Sequence, residues 1–258
     1  MCQVLENNYS LTHQGFFCSN RVVNIPNVFD AVKLWFSDWR SYIAEFLGTF
    51  LFVLITGGTT IANFLYGDIK TLGLALTIGF SYTALLFATV HIGGGYLNPA
   101  VTIALWLVKK LEGAKALFFL IAQILASFAA GGVLLLIFGG TAKQVFLGAP
   151  ALGVNVDITT AVLVEAILTA GLVFAVFSTM VDRRGPVSFG PITLGLFTVA
   201  ATILALPITG AGFNPARSIG PAVLSNSTNS LAVFIIGPLA GSLFALVYEV
   251  VFLRKHKK

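Results

Sequence analysis

One stretch occurs twice, and each copy starts a helix too short to cross a membrane: Gly95-Tyr96-Leu97-Asn98-Pro99-Ala100-Val101 and Gly212-Phe213-Asn214-Pro215-Ala216-Arg217-Ser218. An Asn side chain accepts one of the free N–H groups of a first helical turn. Pro at the next position has no N–H to strand and has its φ already set for a helix. After Asn98 the apolar run ends at Lys109-Lys110, a rod of roughly 15 Å at ~1.5 Å per residue, about half of a ~30 Å hydrocarbon core. The run from Asn214 to about Leu224 is of similar length. Neither spans a bilayer alone, whereas two set end to end do.

The remainder of the chain is built for lipid. Of its 258 residues 57% are hydrophobic and 10% charged, with a mean hydropathy of +0.93, where soluble domains carry about a quarter charged residues. Apolar runs of about 20 residues, long enough to span, fall at 42–64, 72–90, 115–138, 158–181, 188–207 and 231–253. Six crossings return both ends to one side. Lys109, Lys110, Lys115, Arg183, Arg184, Arg254, Lys255, Lys257 and Lys258 all fall on that side, which the positive-inside rule makes the cytoplasm. Only Lys70 and Lys143 fall in loops assigned outside. The net charge of +5 therefore reflects topology, and no nucleic-acid partner is expected.

Residues 1–39 are expected to form a cytoplasmic extension without a secretory signal, followed by a membrane domain over 40–254 and a basic tail at 255–258. Within the extension, Val28 to Phe36 is amphipathic. It either lies at the interface or belongs to a poorly ordered tail. Cys2 and Cys18 are the only cysteines; they offer neither a disulfide framework nor metal spacing, and no cofactor or metal is expected.

The domain divides into two repeats, about 40–145 and 156–254. Ala44-Glu45-Phe46-Leu47-Gly48-Thr49 opens span one and Val164-Glu165-Ala166-Ile167-Leu168-Thr169 lies in span four; Asn98 follows Glu45 by 53 positions and Asn214 follows Glu165 by 49. Each unit holds three spans and one short helix. Three is odd, so the second unit is inverted relative to the first, with the short helices meeting at the midplane. The expected fold is all-α: six transmembrane helices and two half-spanning helices in an inverted repeat.

Each short helix brings about half a positive charge to the membrane centre, where little solvent screens it and cations are repelled. The amides of Asn98 and Asn214 are placed to donate together to one passing water, whose hydrogens then point away along the path and break a proton relay. Arg217 at membrane depth costs roughly 2.5 to 3.5 kcal/mol on insertion scales, so it is expected to face the water path as a donor that also repels cations. Glu45 and Glu165 need partners too, and the N–H groups of the loops entering the short helices are the expected ones. No nucleophile or His-rich cluster accompanies these carboxylates, so catalysis is not expected.

Together these residues give the chain a resemblance to the aquaporin family, also called the major intrinsic proteins. The likeness covers about residues 40–254 and extends to Ala122-Gln123 in span three and Gly237-Pro238 in span six. It implies a homotetramer with one pore per subunit, pinched by Asn98-Pro99-Ala100 and Asn214-Pro215-Ala216. The carbonyls of Gly94, Gly95, Tyr96, Gly210, Ala211 and Gly212 would line that pore. By the family's spacing, an outer constriction falls on Ile78, Thr202, Ala211 and Arg217. Water-selective members usually have an aromatic and a His at the first two positions, and glycerol facilitators two aromatics. Ile and Thr are smaller, so a wider opening is expected. Ser218 and Ala222, where glycerol facilitators usually have Asp and a basic residue, and Phe234 pull instead towards the water type.

Ala211 replaces the Cys that makes some family pores mercury-sensitive. Tyr96 stands where many members have His, and His91 is also near the inner mouth. The pair is a candidate cytoplasmic gate, the plainer alternative being a vestibule wall and a structural His. The implied function is passive passage of water, with small uncharged solutes such as glycerol, urea, ammonia or hydrogen peroxide, across a lipid bilayer. Protons and ions are excluded. A strict water channel, an alternating-access carrier and a scaffold are the alternatives; a carrier needs a buried charged site besides Arg217, and a scaffold has no use for paired Asn residues.

Overall fold

A computed structural model describes residues 28–254, without the side chains of 28–31 and 34–36. Cys2, Cys18 and the tail at 255–258 lie outside the described residues. In chain order the elements are α1 (Val28–Tyr66), α2 (Lys70–Gly93), the short α3 (Pro99–Leu107) and α4 (Gly113–Phe138), which runs on as a 3-10 helix over Gly139–Gly148. The second half holds α5 (Ile158–Val176) with a π-helical end at Phe177–Val181, α6 (Gly190–Thr209) and the short α7 (Pro215–Leu224). Its last crossing comes in two pieces, α8 (Val233–Ser242) and α9 (Phe244–Tyr248), and ends in a π-helical turn at Glu249–Leu253.

Among the described residues six segments are long and apolar enough to cross a membrane: Ser37–Tyr66, Lys70–Gly93, Gly113–Gly148, Ile158–Val181, Val187–Thr209 and Val233–Leu253. They overlie the six apolar runs. The first differs at its start, since residues 28–36 are helical and lead straight into span one, with a break at Asp38 (φ −124°, ψ 21°). There the Asp38 carboxylate accepts from Ser41 Oγ at 2.7 Å and pairs with Lys115 Nζ of α4 at 2.5 Å. Local bonding of this kind competes with a regular helical turn.

The packing repeats as the sequence does. Helix α1 lies against α4 and α2, α5 lies against α8 and α6, and α2 against α6 joins the halves. Gly79 and Gly195 each precede their Asn by 19 positions. They face one another across the α2–α6 contact: a Cβ on Gly79 would stand 2.6 Å from the Gly195 carbonyl oxygen, and one on Gly195 2.7 Å from that of Gly79. Lipid gives helices no hydrophobic reason to associate, so such close approach through small residues carries the packing. The short α7 is pinned to α4 by Ser127, whose Oγ donates to the Ala216 carbonyl and accepts from Gly220 N. Leu47, Leu125, Leu136, Ile167 and Leu196 face outward, as suits a hydrocarbon surround.

Two loops are tied at their ends. Asp157 caps α5, accepting from Thr160 N at 3.0 Å and Thr160 Oγ1 at 2.6 Å, and these bonds hold its carboxyl below the usual range. Between α5 and α6, Arg184 Nη2 donates to Asp182 Oδ2 and to the Phe252 carbonyl, each at 2.6 Å. The Arg184 hydrogen bonds pull the Asp182 carboxyl down to about 2.

Candidate functional site

Both Asn residues cap their helices. Asn98 is extended (φ −152°, ψ 117°) and its Oδ1 accepts from Ala100 N at 2.9 Å. Asn214 repeats this (φ −142°, ψ 106°), accepting from Ala216 N at 3.0 Å. Pro99 and Pro215 open the two helices. The tips are then stitched reciprocally: Asn98 Nδ2 donates to the Phe213 carbonyl at 3.0 Å and Asn214 Nδ2 to the Leu97 carbonyl at 2.8 Å. This adjusts the expectation from sequence, because one hydrogen of each amide is committed to the opposite turn. An amide NH2 has two, so one on each Asn remains for a guest.

The carboxylates find the partners expected of them. Glu45, fully buried, accepts from Tyr96 N (2.7 Å) through Oε1 and from Leu97 N (2.8 Å) through Oε2. Glu165, equally buried, accepts from Gly212 N (2.9 Å) through Oε1 and from Phe213 N (2.6 Å) through Oε2. In both repeats these N–H groups belong to the two residues just before the Asn. Two helpers had no role assigned from the sequence: Gln123 Nε2 donates to Glu45 Oε2 at 2.8 Å, and Thr209 Oγ1 to Glu165 Oε1 at 2.6 Å. A lone amide in an apolar span was the available signal for Gln123.

The turns need this support. Leu97, Ala211 and Phe213 hold φ of 51°, 60° and 35°, left-handed conformations that cost side-chain-bearing residues about 1 to 3 kcal/mol each and persist only when their surroundings impose them. Gly94 and Gly210, at φ of 105° and 71°, take such angles without strain. With N–H groups turned to the carboxylates, the carbonyls point elsewhere. Of the six singled out, Tyr96 O accepts from Tyr82 Oη at 3.1 Å and Gly212 O from Asn214 N at 2.6 Å. Gly210 O and Ala211 O accept from Arg217 Nη1. Those of Gly94 and Gly95 accept no hydrogen bond among the described residues.

Ile78, Thr202, Ala211 and Arg217 are all enclosed, with 2%, 0%, 0% and 3% of their surface exposed. Two of them keep unused polar atoms: Thr202 Oγ1 and Arg217 Nε are buried without a hydrogen-bond partner among the described residues. Leaving such a group unmet costs about 1 to 3 kcal/mol. Tyr96 packs its ring on Phe119 at 5.7 Å, with its hydroxyl over Gly94, while His91 is exposed in the last turn of α2.

Residues 32–248 match the profile of the family described as Major intrinsic protein. The lens fiber major intrinsic protein of Gallus gallus is 38% identical over 217 residues, covering 83% of this chain and 81% of that protein. Aquaporin-4 of Mus musculus is 37% identical, covering 83% of this chain and 68% of that protein; an aquaporin of PIP type from Atriplex canescens is 35% identical, covering 86% and 83%. Among solved structures, the X-ray structure of the aquaglyceroporin from Plasmodium falciparum superposes with a TM-score of 0.75 at 25% identity, covering 83% of this chain and 96% of that one. The chain belongs to the major intrinsic protein family, and it is an aquaporin-family channel, not an enzyme, that passes through its membrane several times.

Proposed function

We propose that the chain is a passive channel for water and small uncharged solutes, with its pore along the turns at Asn98 and Asn214 and both termini in the cytoplasm. The working unit is a homotetramer, each subunit with its own pore. The observation that carries the reading is the reciprocal stitch of the two helix tips. It joins the positive ends of α3 and α7; at mid-depth these would repel cations, and the second amide hydrogen of each Asn would orient a passing water. Relatives named as aquaporins support water as the main permeant.

The same geometry argues against a carrier. Glu45 and Glu165 each accept three hydrogen bonds from loop N–H groups and side chains, so neither is free to hold a coupling ion. At the outer level Ile78 and Ala211 carry no polar side-chain group, and Thr202 Oγ1 and Arg217 Nε are buried without a hydrogen-bond partner among the described residues. A neutral solute with a hydroxyl or amide fits that combination. Stopped-flow volume changes of proteoliposomes exposed to water, glycerol, urea and hydrogen peroxide gradients test this. Flux of all four above protein-free vesicles is expected, and Thr202→His should suppress the larger solutes before water. Glycerol excluded while water passes freely would replace the wide-filter reading with that of a strict water channel.

A further inference from the structure

We propose that Tyr82 forms a second size filter at the middle of the pore, in series with the outer one; this rests on the pore assignment above. The inverted repeat sets its level. Tyr82 precedes Asn98 by 16 positions, and Thr198 precedes Asn214 by the same 16. The two therefore stand at equivalent heights on α2 and α6, beside the joined tips. Each is one helical turn from an outer-filter residue on the same helix face, Tyr82 from Ile78 and Thr198 from Thr202.

At this height the two halves differ. Thr198 turns its Oγ1 back to its own helix, donating to the Leu194 carbonyl at 2.8 Å. Tyr82 reaches away from α2, and its hydroxyl donates to the Tyr96 carbonyl, one of the turn carbonyls assigned to the water file. The phenol is 2% exposed, and its ring is held against Phe52 with centroids 5.3 Å apart. A six-membered ring thus stands where the opposite repeat places a Thr. Its hydroxyl fills one of the two lone pairs that a water would otherwise use. The short side chains of the outer level leave this ring as a barrier to solutes broader than water, and the occupied carbonyl slows water itself.

A brace for the turn, with no contact to permeants, is the competing role, and two substitutions separate them. The full chain, Tyr82→Val and Tyr82→Phe are reconstituted, and water and glycerol permeabilities are measured per molecule of protein, with monodisperse elution and the thermal midpoint recorded for each. Tyr82→Val should raise the glycerol-to-water ratio by about fivefold or more, a barrier change of about 1 kcal/mol. Tyr82→Phe keeps the ring and should leave that ratio within about twofold, while water permeability rises because the Tyr96 carbonyl is released. An unchanged ratio in a folded Tyr82→Val, with only its midpoint lowered, reduces Tyr82 to a brace and overturns the proposal. Failure of the pore assignment looks different: the unsubstituted chain then gives no water flux above protein-free vesicles.

Discussion

Asn98, Asn214, Arg217, Glu45 and Glu165 were legible in the sequence for one reason: a polar group at membrane depth is costly, so it must have a partner or a task. Their partners were legible only as a class. That Glu45 reaches Tyr96 and Leu97, and that each Asn donates to the opposite turn, depends on contacts between residues up to 117 positions apart. Ile78, Thr202 and Ala211 came from family spacing alone, since an apolar or small residue in an apolar span carries no signal of its own. The role proposed for Tyr82 has no signal in the sequence, because a tyrosine in an apolar span reads as packing. At position 211 a sharp test is available. Ala211 is fully enclosed and the only thiols are Cys2 and Cys18, so mercurials should leave water flux unchanged, and Ala211→Cys should introduce a block reversed by reducing agent. Block of a Cys2→Ser, Cys18→Ser double variant would contradict this.

At the scale of elements, the two short helices and the six crossings follow from Pro after Asn, from run length and from basic loops. The ends do not, because local bonds decide them: the Asp38, Ser41 and Lys115 cluster at the break in α1, and Arg184 between α5 and α6. The α2–α6 contact depends on bare backbone at Gly79 and Gly195. Gly195→Val should therefore lower the thermal midpoint in detergent by an amount corresponding to about 1 to 3 kcal/mol or more, the usual cost of overpacking. Gly132→Ala, where a Cβ meets nothing within 4 Å, should be neutral or slightly stabilising; equal losses at both sites would undo the packing account. The Asp182 latch has a pH signature. A carboxyl held at about 2, below its unfolded value of about 3.9, adds stability above that value and loses it as pH falls through about 2. The midpoint difference between the protein and Asp182→Asn should thus persist from about pH 8 to 5 and shrink below about 4. A difference that grows on acidification has the wrong sign for this latch.

For the whole molecule, the inverted repeat gives two glutamates, two left-handed turns and two capped helices the same arrangement from opposite faces. On the proposed reading, selectivity arises where the repeats differ, at Arg217 against Val101 and at Tyr82 against Thr198. On the proposed reading the joined tips let water through and stop charge. Proteoliposomes loaded with a pH-sensitive dye allow osmotic water flux and the decay of an imposed pH gradient to be followed on the same vesicles. Water flux well above that of protein-free vesicles, weakly dependent on temperature, with a pH gradient that decays no faster than in those vesicles, is the predicted result. A protein-dependent collapse of the gradient, or water flux equal to the lipid background, would contradict it.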